Sequence, residues 1–155
     1  MKKNNVGIII ILSMLISFIC GGIGAFVLVN YNDSNRVITT NYMECFLPIL
    51  SNYRNLCAHE DIVYDHRTEK GIVNTPYHAK LHIPVMDDEY IYGKNDIFSV
   101  FIIFKYLLRD DDFRLMMREI NYEIEKLDGV INSIPINKIL DRMGIPDNYM
   151  DLVDL

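Results

Sequence analysis

Cysteine is scarce and unpaired. Cys20, Cys45 and Cys57 are the only three in 155 residues, and no two of them stand in a CxxC spacing. That excludes a disulfide-stapled secreted scaffold and fits a reducing compartment. Positive charge is also in deficit: 15 Lys and Arg face 21 Asp and Glu, for a formal net charge of −6. A protein that coats nucleic acid through a broad basic surface is thereby excluded, although a local cationic patch is not. The chain has no phosphate-binding glycine loop, no nucleophile elbow and no HExxH pair, so the enzyme classes built on those motifs fall away. Internal repeats and low-complexity tracts are missing as well.

What the chain does have is apolar residues, 50% of the total, enough for a packed core. They are unevenly spread. From Val6 to Val29 there are 24 residues without a charge, preceded by Lys2 and Lys3. As a helix this run would rise ~36 Å, sufficient to cross a hydrocarbon layer of ~30 Å. A single membrane span over 6–29 is therefore expected, with the remainder of the chain placed in the cytosol. A cleaved signal and an internal buried helix are the alternatives. The signal reading suffers from Ile23, which stands where a small residue is wanted. The internal helix would be weakened near its end by Gly21, Gly22 and Gly24. Outside this segment about 125 residues remain, the size of a small domain.

Residues 31–40 are polar and turn-prone, and read as a linker. Apolar positions then recur at helical steps: Tyr42, Phe46, Ile49, Tyr53 and Leu56 form one stripe, with Pro48 either kinking the helix or opening a later one. From Glu60 to Asn95, Gly71, Pro76, Pro84 and Gly93 punctuate irregular structure. Within it Leu81–Val85 and Tyr90–Tyr92 suggest a short hairpin about Met86, Asp87 and Asp88. Asp96 is placed to cap an apolar helix from Ile97 to Leu108. One of Asp110, Asp111 and Asp112 should cap the next helix, whose core face is Phe113, Met116, Met117, Ile120, Ile124 and Leu127, and which Gly129 ends. Ser133 and Pro135 open a last short helix closed by Gly144 and Pro146. The expected fold is mainly α: a hydrophobic front helix over 1–30, a helical bundle over 41–146 with a small irregular or hairpin insertion, and a tail over 147–155.

Chemistry concentrates in Arg54-Asn55-Leu56-Cys57-Ala58-His59. On a helix Asn55 and His59 share a face and are set to interact, whereas Arg54 and His59 are separated by roughly 140°. An imidazole, with an ordinary pKa of ~6.5, exchanges protons near neutrality. A guanidinium binds a phosphate through its planar fork. The plain alternative is an ion-paired Arg and His beside Glu60 and Asp61 with no catalytic role. His78 and His82, four apart with His66 and Asp65 nearby, could ligate zinc if helical, but Pro76 and Pro84 flank them. Solvated loop histidines explain them as well, and no metal site is expected.

The block Arg54–His59, followed by Tyr64-Asp65-His66-Arg67 and by Tyr92-Gly93-Lys94-Asn95-Asp96 before an apolar helix, resembles the Abi-like (abortive-infection) group of HEPN proteins over about residues 40–145. The resemblance implies an all-α HEPN core that dimerises, and a metal-independent endoribonuclease acting in phage defence or in toxin–antitoxin growth arrest. It makes RNA the substrate and a homodimer and an antitoxin the partners, with no cofactor. Arg54 and His59 are then the catalytic pair, with Asn55 in support. His59 would exchange a proton with the ribose 2′-hydroxyl while Arg54 holds the phosphate. The chain departs from the group in length, since Abi-like proteins carry a substantial soluble portion ahead of the block. A catalytically silent dimerisation module and a truncated family remnant are the alternatives.

Overall fold

The structure is a computed structural model that describes residues 40–59 and 61–155. Five helices and one two-stranded antiparallel sheet make it mainly helical. The first helix, α1, runs Thr40–Ala58 and turns Phe46, Ile49, Leu50, Tyr53 and Cys57 inward. Those positions recur at three- and four-residue steps and make one face. Pro48 sits inside α1, so the helix is a single element rather than two, with one internal N–H donor fewer.

The insertion holds a short helix, α2 (Pro76–Lys80), and the strands β1 (Val85–Met86) and β2 (Glu89–Tyr90). Val85 pairs with Tyr90 and Met86 with Glu89. Asp87 and Asp88 turn the chain between them with φ of 52° and 64°. Two successive positive φ values give a tight turn whose twist matches the strands. The hairpin is thus shorter and tighter than its apolar letters suggest.

At the centre lies α3 (Ile97–Leu107), buried at every residue from Ile97 to Tyr106. A helix apolar all round can be satisfied only when other elements surround it. Against it pack α1, α4 (Asp110–Asp128) and a closing 3-10 turn (Tyr149–Val153). Lys105, the one cation in that buried run, is matched: its Nζ donates to the Val153 carbonyl at 3.1 Å and lies 3.5 Å from Asp110. The core face of α4 is the expected one, with Glu123 also buried and paired to Lys126 at 3.3 Å. Asp110, Asp111 and Asp112 do not cap α4. They form its first turn, behind Arg109, where the positive end of the helix dipole favours carboxylates. The helix α5 (Ile136–Met143) packs on α4, and Gly144 closes it in the left-handed region. Residues 147–155, expected as a tail, instead supply core: Tyr149 and Leu152 are buried.

No helix among the described residues is long and apolar enough to cross a membrane. That finding corrects the expectation of a single-pass membrane protein. The longest helices, α1 and α4 at 19 residues each, present polar faces opposite their core stripes. The segment 6–29 and most of the linker 31–40 lie outside the described residues.

The insertion is tied to the bundle at Gly93. Its N–H donates to both carboxylate oxygens of Asp96, at 3.1 and 3.0 Å, while its carbonyl accepts from His78 Nε2 at 2.9 Å. Asp96 also caps α3, accepting from the Ser99 N–H at 3.0 Å. Burial pushes the Asp96 carboxyl up to about 6, although the hydrogen bonds from Ser99 and Gly93 oppose the rise. A folded-state acid that binds its proton more tightly than the unfolded chain stabilises the fold below the unfolded value near 4, and that contribution is lost as pH rises through about 6. The wild type is therefore expected to lose on the order of 2 kcal/mol relative to Asp96→Asn between pH 4 and 6.5. Urea unfolding of both proteins across that range is the check.

Candidate active site on the first helix

The block Arg54–His59 occupies the last turns of α1 and the residue just beyond it. Leu56 and Cys57 face inward, while Arg54, Asn55, Ala58 and His59 are exposed. Although His59 lies past the helix end, its N–H still donates to the Asn55 carbonyl at 3.0 Å. The helical frame therefore reaches it, and Asn55 and His59 stand one turn apart.

Asn55 does not orient the imidazole. Its Oδ1 accepts from Arg54 Nη1 at 3.0 Å, so it draws the guanidinium sideways. That matters for the geometry. Arg54 and His59 leave the helix roughly 140° apart at their backbones, but the arginine head is folded toward the Asn55 side, where His59 also lies. Among the described residues no carboxylate pairs with Arg54 and no hydrogen bond holds the His59 ring.

Asn52 belongs to the same face. By the ~100° step per residue it lies roughly 60° from Asn55 and roughly 20° from His59. Its Oδ1 is 2.7 Å from His66 Nε2. Because an amide oxygen only accepts, Nε2 is the donor in this bond. His66 is fixed from the other side too. The Tyr53 ring meets it edge-on with centroids 5.4 Å apart, and the Tyr53 hydroxyl donates to the His66 carbonyl at 3.3 Å. Burial lowers the His66 pKa, with Arg67 acting in the same direction and Asp65 against it. The balance favours the neutral form of the ring over the charged one.

The loop that carries His66 is moored at two distant places. Arg67 Nη2 donates to the Arg142 carbonyl at the end of α5 at 3.1 Å, and Arg142 pairs with Asp65 at 3.2 Å. Thr68 N–H donates to the Asn95 carbonyl at 2.8 Å, and Asn95 Nδ2 returns a bond to the Thr68 carbonyl at 3.1 Å.

No family model, curated protein or solved structure matches the chain.

The histidines considered for zinc separate. His78 is fully buried, with Nδ1 accepting from the Thr75 N–H at 3.0 Å and Nε2 donating to Gly93. Burial lowers its pKa, so it is a neutral ring with both nitrogens engaged. His82 is exposed in a turn at φ 52°, and no group of three or more His, Cys, Asp or Glu is placed to hold a metal among the described residues. His66 is drawn instead to the exposed face of α1, where it meets Asn52. The face itself was signalled, since Asn52, Asn55 and His59 follow at steps of three and four, but no spacing places His66 on it.

Proposed function

We propose that the chain is a metal-independent endoribonuclease of the Abi-like HEPN kind, acting on RNA in phage defence or growth arrest. One observation carries the reading. Arg54 and His59 are both exposed, the first held by a neutral amide rather than a carboxylate, the second without a hydrogen bond among the described residues. A structural ion pair would consume both groups. Here a guanidinium and an imidazole remain available on one surface to a phosphodiester. Arg54 binds the scissile phosphate and stabilises the charge that grows on it, while His59 exchanges a proton with the reacting oxygens. The nucleophile is the ribose 2′-hydroxyl, so the substrate is RNA rather than DNA. The negative net charge is compatible with this, because a single phosphate needs only a local cationic group.

The test is cleavage of a labelled oligoribonucleotide by the full chain in EDTA. Arg54→Ala and His59→Ala should each lose at least about 100-fold in rate with unchanged circular dichroism, and a 2′-deoxy linkage should resist. Undiminished cleavage by both variants would refute the assignment.

A further inference from the structure

The outward face of α4 carries more apolar surface than a solvated helix face needs. Leu115 and Tyr122 are 45% and 59% exposed, and Val130, just past the helix, is 74% exposed. At ~100° per residue Leu115 lies within roughly 20° of Tyr122, so the two form a seam. Charge flanks the seam in a fixed order. Arg118 and Glu125 stand roughly 40° and 60° to one side of Tyr122, Glu119 and Lys126 roughly 60° and 40° to the other. Each flank therefore holds one cation and one anion, ~10.5 Å apart along the axis, and side chains at that spacing do not pair within a helix. Among the described residues no ion pair or side-chain hydrogen bond engages Arg118 or Glu119. Glu125 accepts from Asn121 Nδ2 at 2.8 Å, and Lys126 reaches back to Glu123 at 3.3 Å.

We propose that this face is a self-association surface, on which α4 pairs antiparallel with α4 of a second copy of the chain about a two-fold axis at Tyr122. Such an axis runs perpendicular to both helices and keeps each flank on its own side. A residue before Tyr122 then opposes one equally far after it in the partner. Arg118 meets the partner's Glu125 and Glu119 meets the partner's Lys126, each with an axial offset of only ~1.5 Å. The two-fold repeats both pairs. Tyr122 packs on its own copy at the centre. Leu115 falls opposite the partner's Gly129, beside the partner's Val130. The Val130 N–H donates to the Leu127 carbonyl at 3.0 Å, so Val130 still follows the helical frame. The seam excludes water and the flanks fix the register. A parallel pair would match the same flanks, but Asp111, roughly 20° from Tyr122, would then face its own copy inside the acidic first turn Asp110–Asp112. Antiparallel pairing parts the two first turns. No residue of the Arg54–His59 block takes part, and α1 and α4 each pack on α3.

Sedimentation equilibrium of the full chain is the test, with Arg118→Glu, Glu125→Arg and the double exchange of both. All three sites of change are exposed, so circular dichroism should match wild type throughout. Each single change sets like charges opposite one another twice over, and should weaken self-association at least about tenfold. The double exchange should return to within about threefold of wild type. Two single variants mixed together, Arg118→Glu with Glu125→Arg, should associate more tightly than either does alone, because every crossing pair is then matched. Self-association that neither single change weakens overturns the surface and places the contact elsewhere on the chain. A double exchange weaker than either single change overturns the antiparallel register, since a parallel pair would then face Glu119 and Lys126 with their own signs. A wild type that stays monomeric at every concentration reached overturns the pairing outright.

Discussion

Gly144→Ala is expected to destabilise the domain by about 3–4 kcal/mol, a drop in Tm of roughly 15 °C. Two independent causes add. Gly144 closes α5 at φ +81°, a left-handed conformation that costs an ordinary residue about 1–2 kcal/mol. A β-carbon there would also stand 2.4 Å from the Asp96 β-carbon and 2.6 Å from its carboxyl group, and overfilling a packed site costs about 1–3 kcal/mol. Asp96 cannot swing aside cheaply, since its carboxylate holds the N–H groups of Gly93 and Ser99. Gly129 supplies the contrast. It ends α4 at φ −64° with its nearest neighbour atom at 3.6 Å, so Gly129→Ala should be neutral or stabilise by about 0.5–1 kcal/mol. Thermal melts of the two variants side by side are the measurement, and equal effects would contradict the structure.

His78→Leu should cost a comparable amount, about 3–5 kcal/mol. Leucine would fill much of the volume but leave the Thr75 N–H and the Gly93 carbonyl, both satisfied by the ring at 3.0 and 2.9 Å, buried with no partner. Each stranded group costs about 1–3 kcal/mol, and the stacking on Tyr90 at 4.8 Å is lost as well. The pH dependence adds a signature. The folded pKa of His78 is depressed by burial, so its contribution is present in full above the unfolded value of ~6.5 and is lost as pH falls through the lower folded value. The deficit of His78→Leu relative to wild type should therefore shrink on acidification. A deficit that grows instead would mean that the ring is charged in the fold.

The two groups oppose each other across one residue. Asp96 favours the fold on the acid side and His78 on the neutral side, and both hold Gly93. Neither ordering was legible in the letters, because a histidine between two prolines and an aspartate before an apolar helix have ordinary local explanations. The aspartate's capping role was legible, since cap and helix are adjacent in sequence. So were the core stripes of α1 and α4, which depend only on a period. The hairpin was legible in place but not in extent: its strands are only Val85–Met86 and Glu89–Tyr90. The closing 3-10 turn was missed because Tyr149 and Leu152 are too few to show a period, and only their packing against α3 and α4 makes them core.

The candidate site divides the same way. Arg54, Asn55 and His59 are contiguous and were readable at once. Asn55 bonds Arg54 rather than His59, because proximity on a helix permits either neighbour and the long arginine side chain reaches the amide. His66 could not be assigned from spacing, since nothing local tells where an irregular loop will lie.

That loop's position is decided far downstream. Its mooring at Arg142 spans 75 positions of chain, so a protein cut before α5 would still spell the whole arginine-to-histidine block and yet lose the anchor of the loop that lies against α1. Two chains with the same six letters can therefore differ in what surrounds them. What separates them is whether their far end returns to anchor the loop.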